Sequence, residues 1–174
     1  MSGDSALEVM ISAAELKARV SELGTQISAD YGDRELAIVA VLKGSFIFLA
    51  DLVREMDSVV TVDFLGLSSY GDAEVSSGVV KITSDLTSPI EGRDVLIVED
   101  IVDTGLTLNY LIKNLGTRKP RSLKVCSLLH KPTRTQVEVP LDYVGFVIED
   151  HFVIGYGLDD AQKHRNLPYI GRKT

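Results

Sequence analysis

The stretch Val95 to Leu108, VLIVEDIVDTGLTL, concentrates the side chains most able to do chemistry. Its apolar run, Val95 to Val98, ends in two adjacent carboxylates, Glu99 and Asp100. Such a run reads as a buried strand, and the C-terminal end of a strand is where open α/β sheets bind ligands. Asp103, Thr104, Gly105 and Thr107 follow as a short turn at the start of a helix that begins near Thr104 or Gly105. A turn of this kind presents several backbone amides together with the positive end of the helix dipole, and the two can cradle a phosphate. The pattern is neither a G-x-x-x-x-G-K loop nor a G-x-G-x-x-G dinucleotide loop. A phosphate held beside carboxylates able to bind magnesium or ribose hydroxyls points to a sugar phosphate. Taken one at a time the same residues are ordinary: Asp103 a helix N-cap, Glu99 and Asp100 solvated charges at a strand end.

The elements that must position these groups alternate between two periodicities. Ser12 and Glu15 fit a capping box, and Leu16, Val20, Leu23 and Ile27 continue at helical spacing until Gly32. Leu36 to Leu42 (LAIVAVL) is an unbroken apolar run, as expected of a strand covered on both faces. Ser45 to Met56 reads as a helix and Val59 to Leu65 as a strand. Leu67 to Gly78 (LSSYGDAEVSSG) loses apolar density and gains Ser and Gly, the composition of a loop or mobile flap, before Val79 to Ile82 returns as a strand. Leu123 to Leu129 and Tyr143 to Ile148 supply the last strands of the sheet. Strands alternating with helices imply right-handed crossovers, so an α/β fold with a largely parallel sheet is expected. From Asp150 onward the chain is rich in Gly, charge and aromatics, a small appended lobe with no linker before it.

Composition bounds the rest. A chain of 174 residues is the size of one domain with a sizeable core. With 18 Lys plus Arg against 25 Asp plus Glu, the formal charge is −7, which argues against broad electrostatic binding to nucleic acid. No apolar stretch approaches the ~20 residues of a membrane helix. Asp4, Glu8 and Glu15 interrupt the first residues where a secretory leader would be apolar, so a cytoplasmic protein without a membrane partner is expected. A lone Cys126 permits no internal disulfide and sits in an apolar strand pattern, where it should pack. The three histidines show no metal-ligand spacing.

Together the segments are far more specific than any one of them. VLIVEDIVDTGLTL resembles the phosphoribosyl pyrophosphate signature of the purine phosphoribosyltransferases. LKGSFIF (Leu42 to Phe48), LSSYG (Leu67 to Gly71), LLHKPTR (Leu128 to Arg134) and DYVGFVIEDHFVIGYGLD (Asp142 to Asp159) resemble the other landmarks of the hypoxanthine-guanine phosphoribosyltransferase family, in the same order. RNLPYIG (Arg165 to Gly171) is similar to the ending of the bacterial branch, and the resemblance spans Leu36 to Gly171. It implies the type I phosphoribosyltransferase fold: a mostly parallel twisted sheet flanked by helices. It also implies one domain over residues 1–174, with a core at about 33–150 and a hood made mainly by about 150–174 and the N-terminal segment. The implied reaction is purine salvage. The 5-phosphoribosyl group of phosphoribosyl pyrophosphate passes to hypoxanthine or guanine, giving IMP or GMP and pyrophosphate, with Mg2+ as cofactor.

The resemblance also implies roles. Asp103 contacts the purine and accepts its proton. The amides of Asp103, Thr104, Gly105, Leu106 and Thr107, with the two threonine hydroxyls, hold the 5′-phosphate, while Glu99 and Asp100 hold the ribose hydroxyls directly or through magnesium. Lys43 and Gly44 form the pyrophosphate loop, where an unusual backbone turns an amide toward the leaving group, and Arg165 reaches the same diphosphate. Lys131 donates to the exocyclic oxygen of a 6-oxopurine; on its own, a Lys before Pro132 would be a surface residue. Phe152 stacks on the base, although alone it would be read as core, and Val153 offers its backbone to the purine edge. Asp159 is a second magnesium contact beside the purine, and Ser69 and Tyr70 belong to a flap that closes over the reacting carbon.

The match has departures: His130, His151, Asp160 and His164 stand where relatives commonly carry other residues, which leaves the order of preference among hypoxanthine, guanine and xanthine open. A homodimer or homotetramer is implied, with the apolar segment Phe46 to Met56 as one candidate interface and a core role as the alternative. Two other readings share the fold: a phosphoribosyltransferase for a pyrimidine, xanthine or adenine, and a phosphoribosyl-pyrophosphate-sensing regulator that binds nucleic acid. Lys131 and the Phe152 segment favour a 6-oxopurine; Asp103, the Lys43 and Gly44 pair and the negative charge favour an enzyme.

Overall fold

The computed structural model describes residues 6–69 and 80–174. In chain order the elements are β1 (Leu7–Ile11), α1 (Ala13–Tyr31), β2 (Leu36–Leu42), α2 (Phe46–Arg54), β3 (Val60–Ser69), β4 (Val80–Ser84), β5 (Asp94–Val102), α3 (Leu106–Gly116), β6 (Ser122–His130), β7 (Tyr143–Val147), β8 (Val153–Ile154) and β9 (Ile170–Lys173), with a 3-10 turn at Pro132–Arg134.

Six strands form one sheet in the order β4-β3-β2-β5-β6-β7. All neighbours are parallel except β3 and β4. The unbroken apolar runs follow from this arrangement. In β2, Ile38 and Ala40 face the core under α1 and α2, while Ala37, Val39 and Val41 face the core under α3. In β5, Leu96 and Val98 take the first side and Val95 and Ile97 the second. A strand with helices on both faces has no side to spare for polar residues. Cys126 lies fully buried in β6 against the α1 core, and burial pushes its thiol up to about 12.

The chain steps from β2 outward to β3 on one side and later places β5 on the other. Adjacent parallel strands whose connections run in opposite directions leave a crevice at their C-terminal ends, the usual ligand position in such sheets. The Leu42 to Gly44 turn and the Glu99 to Gly105 segment both emerge there. A second, antiparallel sheet of β1, β9 and β8 joins the two ends of the chain. The strand at Leu7–Ile11 has no strong alternation in sequence; its partner β9 defines it.

Several boundaries differ from expectation. Leu67 and Ser68, expected in a loop, continue β3 because their backbone pairs with Ile82 and Lys81 of β4. Ser69 also belongs to β3, and the rest of the expected flap, residues 70–78, lies outside the described residues, Tyr70 with it. Helix α2 is shorter than Ser45 to Met56. It begins after Ser45, whose hydroxyl turns back to the Val41 carbonyl at 2.6 Å instead of capping the helix. Among the described residues no helix is long and apolar enough to cross a membrane.

Candidate active site

Strand β5 runs four residues beyond the expected Val98, so Glu99 and Asp100 lie within it and not after it. Glu99 is buried, at 6% exposure, and Asp100 is largely so. Burial, with Asp100 beside it, pushes the Glu99 carboxyl well above the usual range. Burial also raises Asp100, to about 6, although the Ile101 amide donates to its Oδ1 at 2.7 Å and favours the charged form. Among the described residues no Lys or Arg pairs with either carboxylate. Two adjacent buried carboxyls with no ion-pair partner, only the more distant Arg165 charge acting on Asp100, are costly, and a divalent cation is the natural complement. All the donors are oxygens, as magnesium prefers. Among the described residues no three His, Cys, Asp or Glu side chains converge as a metal cluster. Asp159, expected alongside Glu99 and Asp100, is instead engaged by Arg165, so the acid pair could supply part of a magnesium shell and not all of it.

The turn after β5 is held from within and from behind. The Thr104 amide donates to Asp103 Oδ1 at 2.6 Å, and the Leu106 amide to Thr104 Oγ1 at 3.3 Å. Gly105, not Asp103, is the residue before helix α3, with φ +81° and no side-chain cap. A Cβ at Gly105 would fall 2.2 Å from the Val137 carbonyl, and the Thr104 carbonyl accepts from the amides of Gln136 and Val137. The Asp103–Thr107 segment lines a cleft of about 250 Å3 with Glu99, Asp100, Val41, Leu42, Leu67 and Ile101. A larger cavity of about 420 Å3 lies between α1, α2 and residues 166–168. The smaller cleft, not the larger, gathers the acid pair and the amide-rich turn at the C-terminal ends of β2 and β5.

The Leu42 to Gly44 turn enters the same cleft from β2. The peptide joining Leu42 to Lys43 is cis. A Cβ at Gly44 would lie 1.8 Å from Asp100 Oδ2, so any side chain there would have to displace that carboxylate. Gly157, at φ +101°, packs in turn on the Gly44 carbonyl, where a Cβ would come within 2.2 Å. This brings the C-terminal segment over the turn: Arg165 donates to the Gly157 carbonyl at 2.7 Å and lies 3.3 Å from Asp159. Lys43 and Arg165 both donate to Oε1 of Gln162, at 3.3 and 3.1 Å.

On the far side, Lys131 follows β6, its amide bonded to the Val102 carbonyl. Its side chain is only 11% exposed, not the free surface lysine its isolated sequence suggests, and its ammonium lies 3.5 Å from Asp150. Phe152 is the reverse case: expected as core when read alone, it stands 55% exposed with the Lys173 ammonium 5.8 Å from its ring centroid. Val153 begins β8 and is buried. Ser69 ends β3. Ile101, Gln162 and Asp150 were not singled out by sequence. An apolar residue inside a strand, and polar ones inside charged loops, carry no pattern until the fold places them.

Comparison with known proteins shows the family and its fold. A phosphoribosyl transferase domain profile matches residues 12–161. The hypoxanthine phosphoribosyltransferase of Salmonella typhimurium is 52% identical over 168 residues, 95% of this chain and 94% of that protein. The chain belongs to the hypoxanthine-guanine phosphoribosyltransferase family. The hypoxanthine-guanine phosphoribosyltransferase of Bacillus subtilis is 48% identical over 94% of this chain and 91% of its own. A crystal structure of the Bacillus anthracis hypoxanthine-guanine phosphoribosyltransferase superposes with a TM-score of 0.93 at 46% identity, covering 96% of this chain and 98% of that one. The family's fold is therefore the one found here: a mostly parallel sheet between helices, with a small antiparallel sheet beside it.

Proposed function

We propose that the protein transfers the 5-phosphoribosyl group of phosphoribosyl pyrophosphate to hypoxanthine or guanine, releasing pyrophosphate and forming IMP or GMP. The observation that carries this reading is the amide-rich Asp103–Thr107 turn beside the buried Glu99 and Asp100 pair, in a chain about half identical to enzymes of that name.

The amides of Asp103 to Thr107 and the hydroxyls of Thr104 and Thr107 bind the 5′-phosphate at the start of α3. Glu99 and Asp100 orient the ribose hydroxyls and would hold Mg2+. When bound, Mg2+ neutralises charge on the diphosphate leaving group. Lys43 and Arg165 bind that diphosphate from the β2 turn and the C-terminal segment. Asp103 accepts the proton lost from the purine as its ring nitrogen attacks the anomeric carbon. Lys131, oriented by Asp150, donates to the exocyclic oxygen at C6, and an amino group there would meet donor with donor. Phe152 stacks on the base, the Val153 backbone reads its edge, Asp159 lies beside it, and Ser69 and Tyr70 close over the site.

The single domain is read as core plus hood, working in the cytoplasm. Its homo-oligomerisation is supported by apolar residues left exposed: Phe46 at the start of α2, and Val62 and Phe64 on one face of β3. The test of base class is turnover at saturating phosphoribosyl pyrophosphate with hypoxanthine, guanine, xanthine, adenine and uracil in parallel. Hypoxanthine or guanine should be the best substrate, with adenine at least ~100-fold slower. Adenine or uracil used best would contradict the assignment of Lys131.

A further inference from the structure

Gln162 occupies an unusual position for a side chain outside the motifs. Its backbone φ is +68°, Ala161 before it is at +49°, and His164 after it is at +72°. Left-handed conformations are costly for residues other than glycine and persist where surrounding contacts over-determine them. Here the contacts are specific. The Gln162 amide donates to Asp159 Oδ2 at 2.7 Å, which fixes the turn. That turn aims the side chain at the Leu42 to Gly44 loop, 119 residues away in sequence. Oε1 then accepts from Lys43 Nζ at 3.3 Å and from Arg165 Nη2 at 3.1 Å. One neutral oxygen thus joins the two cations that converge from separate loops. A carbonyl oxygen can accept two hydrogen bonds without adding a negative charge, so among the described residues Asp159, 3.3 Å from Arg165, is the one carboxylate paired with these two cations.

We infer that Gln162 is a positioning residue for the diphosphate half of the substrate, its amide oxygen holding Lys43 and Arg165 at a common point. The inference rests on the assignment of those two cations to the diphosphate. It extends that assignment by naming what sets their geometry: Arg165 is 19% exposed and already tied to the Gly157 carbonyl and Asp159, whereas the exposed Lys43 side chain, without the bridge, must be ordered by the ligand itself, at an entropic cost to binding. The left-handed backbone is, on this account, the means of aiming the side chain.

The test compares Gln162→Ala, Gln162→Gly and Gln162→Glu with the unaltered enzyme, using magnesium with phosphoribosyl pyrophosphate or inorganic pyrophosphate as the probe. Glycine removes the side chain but adopts the left-handed turn freely, which separates the bridge from the turn. Both Ala and Gly should raise the KM for phosphoribosyl pyrophosphate and the Kd for pyrophosphate ~3- to 10-fold, the size expected for one lost hydrogen-bond acceptor. The KM for the purine should stay within about twofold. Glu keeps an acceptor oxygen at the same reach but adds a negative charge beside the diphosphate, so it should raise both diphosphate constants at least as much as Ala, with the purine KM still within about twofold. Glycine behaving as the parent would overturn the inference and leave only a turn residue. So would equal losses for both substrates. Arg165→Ala, measured alongside, tests the underlying assignment: if it raises the KM while Gln162→Ala and Gln162→Gly do not, the bridge fails alone; if none of the three does, both fail.

Discussion

Asp103 is placed so that its two proposed tasks can be separated. Oδ1 is occupied by the Thr104 amide and so shapes the phosphate turn, while the second oxygen is free of that bond. Asparagine keeps an acceptor for Thr104 but cannot take a proton. Asp103→Asn should therefore lower kcat by ~100-fold or more and leave the KM for phosphoribosyl pyrophosphate within about threefold. Steady-state kinetics of the purified variant decide it; unchanged kcat would remove Asp103 from the role. At this scale the sequence was legible where motif and environment coincide, as in Glu99, Asp100 and the turn after them. It misled where a residue was judged alone. Phe152 looks like core and is exposed; Lys131 looks like surface and is nearly buried beside Asp150. Burial belongs to the assembled fold, and a single side chain carries little of it.

At the scale of elements, β5 must be held in register at its far end for Glu99 to Gly105 to reach the cleft. Asp94 does this from the first position of the strand. Its side chain is 1% exposed and accepts from Arg121, from the Ser122 hydroxyl at 2.5 Å and from Arg34 at 3.4 Å. The Arg121 hydrogen bonds, against the cost of burial, hold its carboxyl down at about 2. A carboxylate with a lowered folded pKa stabilises the protein at neutral pH, and that contribution disappears as pH falls from about 4 toward 2. Because both arginines are about half exposed, the contribution is discounted to on the order of 1–2 kcal/mol. Asp94→Asn should lower Tm at pH 7 by several degrees and flatten the acid limb of the stability curve below pH 4. Parallel acid limbs in the two proteins would exclude this anchor. Sequence patterns located β2, α1 and the acid-bearing strand because each has a long, single periodicity. They shortened β3 and β5, since Leu67, Ser68, Glu99 and Ile101 are held as strand by ladder partners on other strands.

At the scale of the molecule, two sheets divide the work. The parallel sheet delivers the acid pair and both loops to its switch point, and the small antiparallel sheet carries Val153 and ties it to the two ends of the chain. The net charge of −7 is compatible with the proposed polyanionic substrate, because the buried Glu99, with Asp100 beside it, would face it through magnesium. The exposed Phe46, Val62 and Phe64 predict self-association, so sedimentation should give a mass at least twice the 19.0 kDa of one chain. A monomer at micromolar concentration would contradict it. The most direct measurement mixes the protein with phosphoribosyl pyrophosphate and hypoxanthine or guanine, with and without magnesium, and follows nucleotide and pyrophosphate together. The account predicts IMP or GMP and pyrophosphate in equal amounts, dependent on magnesium. No nucleotide from either base at micromolar enzyme would contradict it.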